Sequence, residues 1–497
     1  MKRHLALLLL VLWAAGSAEA ASPSRWRVRD GWLQRSRDGG AHYEPFFVLA
    51  LWGAPGWQGS ADGDPAVQAK LIAAARHFNV IHTRGVDLPD IDRYLPDPLR
   101  DTVFMVGLAT FNDRFLDPAK GRRYSGPVPL RFVASSGRPD YASVRALEAA
   151  LAVGGMDDYM DGIAQSVQRG VDQTWADGRG LDTLWNLADE PDANYDGWLW
   201  PPALIAAYRR AVGRIAPGAV TFMGISAVTG NLYCFERLLT ADGRRPLPPA
   251  LPRTPAELPA SFPADAVRDW QGDPDHYASY LFMADGTPAR LDAGTRYNAW
   301  TLLRPRMEAT VRVTAEGYAD CADAFGLNRY GAFQRYPALA GECVDAIRSA
   351  CGATAPIWLF FDGLGRDDDL DYWANLRCQV YTSLVHGASG VQFWQPGSAD
   401  RNPSDFWWQR VKGLADELRA LAPLLAGTVE GRQVTAEGAH LVILADRAGV
   451  RTLVATNPHF KTRCDLDLPG VYQGSLAPLG VLVHVGLGPS SLAGGPR

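Results

Sequence analysis

Several familiar signals are missing from this chain, and each absence narrows its chemistry. Lys and Arg nowhere gather into a basic run, so the electrostatic footprint of a nucleic-acid partner is absent. Beyond the first twenty residues no apolar stretch reaches the roughly 20 residues that a spanning helix needs. There is no Cys-x-x-Cys and no His-x-x-x-His, which removes the usual spacing of a structural zinc site. A Gly-x-Ser-x-Gly elbow is lacking, which disfavours a Ser–His–Asp hydrolase. No Gly-x-Gly-x-x-Gly follows a first strand, which disfavours dinucleotide binding.

Cysteine is sparse, with six in 497 residues. Sequence alone cannot choose among the pairings that six thiols allow. Only Cys343 and Cys351 lie near enough in the chain to suggest a small disulfide loop.

The N-terminus reads as an export signal. Lys2 and Arg3 precede a short apolar core, Leu5 to Trp13, and Ala18-Glu19-Ala20 fits the small-x-small pattern of a cleavage site. The expected cut follows Ala20. The alternative is an uncleaved anchor, for which the apolar core is short. The expectation is a periplasmic or secreted protein with no integral membrane segment. The formal charge of −5 is mild and scattered. Sixteen Trp and seventeen Tyr are a richer clue. Aromatic faces stack on sugars, although most such rings simply fill cores.

Short apolar runs alternate with helix-like segments, which implies a parallel sheet with crossover helices. Eight runs read as strands: Phe46–Trp52, Val80–Arg84, Val103–Ala109, Thr183–Ala188, Val220–Ile225, Ala324–Tyr330, Ile357–Phe361 and Gly390–Trp394. Eight strand–helix units close a (β/α)8 TIM barrel. We place the barrel at 45–425, with a hairpin-like extension at 21–44. Pro- and Gly-rich connections at 110–155 and 227–300 read as insertions, the first as a loop over the barrel rim. Alternating runs from Thr428 to Val485 then predict a small C-terminal antiparallel β-sandwich at 426–486, with a frayed tail at 487–497.

In such barrels the chemistry sits at the C-terminal ends of the strands. The fourth strand ends in Asp189-Glu190-Pro191. Glu190 beside a second carboxylate suits a proton donor, because a like charge and partial burial favour the protonated form. The same three residues could instead be a turn that caps the next helix. Asp362 is the sole carboxylate ending the seventh strand. It is the candidate partner of Glu190, or else an ordinary polar residue at a strand–loop junction. Trp52, Arg84, Asn328, Tyr330, Trp394 and Gln395 end other strands and are candidate substrate-binding groups, as is Asp189. A single Trp at such a place is as readily core as ligand.

Four segments carry a family resemblance. They are Leu187–Pro191 (LADEP), Phe325–Gly331 (FGLNRYG), Pro356–Gly363 (PIWLFFDG) and His386–Gln395 (HGASGVQFWQ). In this order they resemble the clan A glycoside hydrolases over roughly 45–485. The resemblance implies Glu190 as acid/base. The family usually has Asn before that Glu, binding the sugar 2-hydroxyl, where this chain has Asp189. It usually has a Glu nucleophile on strand seven, where this chain has Asp362. A shorter nucleophile, an inverting mechanism with water activated by Asp362 or Asp189, or a site that binds without cleaving are all open at this point.

The expected function is hydrolysis of an O-glycosidic bond in a poly- or oligosaccharide, with Glu190 and Asp362 as catalytic groups. That chemistry needs neither a metal nor an organic cofactor. Its rivals are a carbohydrate-binding or polysaccharide-assembly protein on a decayed barrel, and a lyase or transglycosidase on the same scaffold.

Overall fold

All eight apolar runs form strands in a computed structural model of the chain. It describes residues 25–52, 76–83, 103–107, 141–154, parts of 156–171, 183–192, 201–226, 281–282, 288–289, most of 311–328, 333–334, 336–362, 370–394 and 405–487. The expected signal segment, most of 227–300 and the tail from 488 fall outside these residues.

A small antiparallel sheet comes first, built from β1 (Trp26–Arg29), β2 (Trp32–Arg35) and β3 (Glu44–Phe46). The barrel strands follow: β4 (Val48–Trp52), β5 (Val80–Thr83), β6 (Val103–Gly107), β7 (Thr183–Asp189) and β8 (Val220–Ile225). A short pair, β9 (Leu281–Phe282) and β10 (Pro288–Ala289), stands apart. Then come β11 (Ala324–Asn328), β12 (Ile357–Asp362) and β13 (Gly390–Trp394). The barrel closes in the order β4-β5-β6-β7-β8-β11-β12-β13. Parallel pairing of Gly390 with Val48 through Trp394 with Trp52 completes the ring.

These strands read as nearly continuous apolar runs because both of their faces are buried. Alternate residues serve different cores. Val48, Ala50, Val80, Val103, Met105, Leu184, Phe222, Trp358 and Phe360 face the lumen. Their neighbours Leu49, Leu51, Ile81, Trp185, Met223, Leu327, Leu359 and Phe393 face the helices. The lumen is filled chiefly by rings. Phe222 stacks on Trp358 with centroids 4.4 Å apart, and Phe360 stands 5.8 Å from both Phe222 and Trp52. Gly326 makes this possible. A Cβ there would lie 2.6 Å from Phe222 and 2.7 Å from Phe360.

The N-terminal sheet plugs one end of this lumen. Trp26, Leu33, Val28 and Phe46 join the same apolar cluster as the inward barrel residues. Arg35 lies over the rings of Trp26 and Phe46.

Helices α1 (Tyr141–Ala152), α2 (Pro202–Ile215), α3 (Pro337–Cys351), α4 (Leu370–Val385) and α5 (Asp405–Leu425) belong to the outer layer. Prolines open α2 and α3, where the missing N–H has no intrahelical partner to lose. On α2 the buried stripe Leu204, Ile205, Tyr208, Ala211 and Val212 follows the helical period. Helix α1 lies within the 110–155 segment that the sequence suggests is a rim loop. Gly137 and Pro139 precede it in the sequence, whereas Leu147 packs in the outer core with Ala150 and Leu151 against it. Among the described residues no helix is long and apolar enough to cross a membrane.

The C-terminal module is an antiparallel β-sandwich. One sheet has the order β14 (Thr428–Val434), β15 (His440–Ala445), β16 (Arg451–Thr456), β19 (Val481–Val485); the other is β17 (Cys464–Leu468) with β18 (Tyr472–Leu476). Val442, Leu444 and Val454 pack into the barrel's outer core. Leu441, Ile443, Leu453 and Ala455 face Cys464, Leu466 and Leu468. A polar seam joins module and barrel. Asp345 lies 2.6 Å from His386 Nδ1, and His386 Nε2 lies 2.7 Å from His440 Nδ1. Beside it, Arg348 and Arg432 donate to the last carbonyls of α4 and its turn, at Val385, His386 and Gly387. Cations are favoured there by the helix dipole.

The expected Cys343–Cys351 loop does not form. Both residues lie on α3, and eight residues of helix separate them by about 12 Å along the axis. Among the described residues no disulfide joins Cys321, Cys343, Cys351, Cys378 or Cys464. Burial pushes the Cys351 and Cys378 thiols up to about 12. Two outcomes follow. Native protein at pH 8 resists maleimide at both positions, while denatured protein reacts promptly, as peptide mass mapping will read. Because these thiols ionise earlier when unfolded, stability falls as pH rises from about 9 toward 12. Separately, Gly326→Ala overpacks the ring stack and lowers unfolding stability by about 1–3 kcal/mol in denaturant titration.

Candidate functional site

Strand β7 is the irregular member of the barrel. Asn186 pairs with Phe222, but Ala188 pairs with Met223 and Asp189 with Gly224, so one extra residue is inserted between Asn186 and Ala188. Such a bulge re-aims everything beyond it. Leu184 faces the lumen, whereas Leu187 and Ala188 both join the outer core. Asp189 then faces inward, with its Oδ1 3.5 Å from where a Cβ on Gly224 would sit. Without the extra residue, strict alternation would have turned Ala188 and Glu190 inward and Asp189 outward.

Glu190 follows in the left-handed region, with φ at 49°. Its backbone N–H donates to Gly224 O at 2.6 Å. Two residues on, the fully buried Asp192 accepts from the Ser226 N–H at 2.8 Å. The Asp-Glu-Pro-Asp turn is thereby tied twice to the end of β8. Glu190 itself stays partly exposed, as does Asp189.

Asp362 ends β12 at the same end of the barrel. It accepts a hydrogen bond from the Tyr372 hydroxyl at 3.0 Å and one from Gln334 Nε2 at 3.3 Å. Gln334 also reaches the Tyr372 oxygen at 2.8 Å. Registry then carries a row of residues across four strands. Asp362 pairs with Trp394, Trp394 with Trp52, and Trp52 with His82. Trp52 and Trp394 belong to the upper part of the lumen cluster. The Trp52 ring lies 4.3 Å from the His82 ring, centroid to centroid. Asn328 ends β11, buried, and its Oδ1 has no hydrogen-bond partner among the described residues.

The structure therefore brings Asp189, Glu190, Asp362, Trp52, Trp394 and Asn328 to one end of the barrel. Arg84, Tyr330 and Gln395, the remaining sequence candidates, lie outside the described residues. Two lumen residues were not singled out by sequence: His82 and Asn186. Their amide and imidazole meet at 2.9 Å, and Gln392 meets the other imidazole nitrogen at 2.8 Å. A signal for both existed. Each is a polar residue at an inward position of an otherwise apolar central strand, where an unpaired polar group is costly.

No protein-family model and no curated protein matches the chain. Solved structures that resemble it are glycoside hydrolases. A GH30 endoxylanase from Clostridium papyrosolvens C71 is 11% identical, over 94% of this chain and 100% of that one, with a TM-score of 0.41. An Anoxybacillus alpha-amylase is 12% identical, over 90% and 100%, also at 0.41. CelM2, a bifunctional glucanase-xylanase from a metagenome library, is 9% identical over 93% and 95%, at 0.34. The closed order of eight parallel strands assigns the barrel by itself.

The left-handed backbone at Glu190 makes a prediction that separates stability from function. A side chain there costs about 1 kcal/mol, which glycine would avoid. Glu190→Gly is expected to raise the denaturation midpoint while removing the carboxylate. A lower midpoint would show that the Glu190 side chain is itself structural.

Proposed function

We propose that the chain is an exported glycoside hydrolase that cleaves O-glycosidic bonds in a poly- or oligosaccharide. One observation carries the reading: the bulged end of β7 presents two consecutive carboxylates, Asp189 and Glu190, at the barrel end where β12 delivers a third, Asp362. Hydrolysis of a glycoside needs one carboxylic acid to protonate the leaving oxygen and one carboxylate to attack or to activate water. Glu190 is the proposed acid. It is partly exposed, and its backbone strain is of the kind that the surrounding fold holds at working sites.

Asp362 is the proposed partner. Donors from Tyr372 and Gln334 hold its carboxylate in one orientation. Asp189, aimed into the lumen, accepts hydrogen bonds from sugar hydroxyls. Trp52 and Trp394 supply apolar walls, and rings of this kind suit the C–H faces of a pyranose. Export rests on the N-terminal pattern of Lys2, Arg3 and the apolar core before Ala20.

Screening a glycan panel with reducing-end detection identifies the substrate. On it, Glu190→Gln is expected to abolish cleavage with the fold intact by circular dichroism. Asp362→Asn is expected to lower kcat by at least about a hundredfold. Parental activity in Glu190→Gln would reject the assignment. If the parent binds a glycan and releases no new reducing ends, the chain is a binding protein.

A further inference from the structure

We propose that His82 is the positioning residue of this site, setting the aim of the β7 carboxylates through Asn186. The inference deepens the hydrolase reading and rests on it for its kinetic arm. Three observations converge on the imidazole. His82 is 1% exposed and sits on the lumen face of β5. Its Nε2 faces the Asn186 amide of β7 at 2.9 Å, and its Nδ1 faces the Gln392 amide of β13 at 2.8 Å. The Trp52 ring packs on it at 4.3 Å. Neither β7 nor β13 is a neighbour of β5 in the ring. The imidazole thus ties together strands that share no backbone ladder with its own.

Proton accounting makes the tie specific. A neutral imidazole has one N–H and one lone pair. Both contacts are made by amide nitrogens, Asn186 Nδ2 and Gln392 Nε2, and a neutral ring accepts from only one of them, so the other amide turns to present its oxygen to the ring N–H. The remaining amide oxygens, Asn186 Oδ1 and Gln392 Oε1, are buried with no hydrogen-bond partner among the described residues, so turning one amide to the ring N–H also relieves a buried acceptor. Ring, tautomer and both amide orientations are fixed together or not at all.

The consequence reaches the carboxylates through the bulge. Asn186 is the last residue of β7 in regular register before the inserted one. Sliding the extra residue toward the N-terminus would turn Asn186 away from the lumen, since a shift by one residue reverses facing. That would strip His82 of its partner in an apolar interior. With Asn186 held inward, the irregularity must fall after it, so that Asp189 enters the lumen and Glu190 takes the turn. On the other side, Gln392 lies two residues before Trp394 on the same face of β13. His82 therefore spaces the carboxylate strand against a wall of the site.

The test has a spectroscopic and a kinetic arm. In protein labelled with 15N-histidine, the His82 ring, assigned by its disappearance in His82→Phe, is expected to occupy one fixed neutral tautomer. A ring exchanging between tautomers would overturn the proposal. On the glycan that the parent cleaves, His82→Phe should lower kcat on the order of a hundredfold, the loss that a displacement of about 1 Å brings at a reacting centre. KM should move far less, and His82→Gln, which keeps an amide donor and acceptor, should recover part of the loss. Equal kcat in parent and His82→Phe would refute the positioning role. Should His82→Phe not fold, Asn186→Asp takes its place in the same kinetic comparison, with the same two outcomes. A parent that cleaves no glycan removes the hydrolase reading, and the tautomer measurement still decides the clamp.

Discussion

Every barrel strand faces two cores at once, and a side-chain period of two must satisfy both. This constraint organises the molecule. One residue parity packs into the lumen, and the other packs against the helices. Neither set can change facing without emptying both cores. The C-terminal sheet obeys the same rule, since alternate residues of β15 and β16 enter the barrel's outer core or the module's own. The lumen tolerates its aromatic load because glycine stands where Phe222 and Phe360 press closest.

Among the described barrel strands this rule is broken in β7, at the end that bears the candidate site. An inserted residue in β7 turns Asp189 inward, and the chain beyond is pinned to β8 by the Glu190 and Asp192 contacts. A bulge beside an active centre is a common way to redirect a side chain from a rigid scaffold. The polar residues beneath it are placed with equal economy. His82, Asn186 and Gln392 come from three non-adjacent strands, yet both amides meet the one imidazole ring. Buried polar groups left unsatisfied would weaken the core. Joined in this way, they specify one arrangement of it.

The junction of barrel and β-sandwich combines an apolar contact with a directional one. Val442, Leu444 and Val454 supply area. The Asp345–His386–His440 chain supplies orientation, because its short contacts form in only one relative placement. Gly341 leaves the room that the His386 ring occupies, since a Cβ there would lie 2.3 Å from it. Among the described residues the thiols contribute to packing instead of cross-linking. Cys378 and Cys464 both lie against Asn457, which holds the turn after β16 through its side chain.

Much of the fold was legible in advance, for a physical reason. A buried parallel strand must be apolar on both faces, so its run stands out in the chain. The span of β8 and of β13 could be read without error. The sixth strand is described from Ala324 to Asn328, and Tyr330, where the sequence reading ends it, lies outside the described residues. Helix α1 was hidden behind the Gly and Pro residues before it. By itself the sequence determined the strand count, the β-sandwich and which strand ends bear carboxylates, since these follow from local pattern. Tertiary structure alone decided which β7 carboxylate faces the lumen, that Cys343 and Cys351 stay apart, and that His82 meets Asn186 and Gln392. Each of these depends on register and closure between segments far apart in the chain, and residue type carries no record of either.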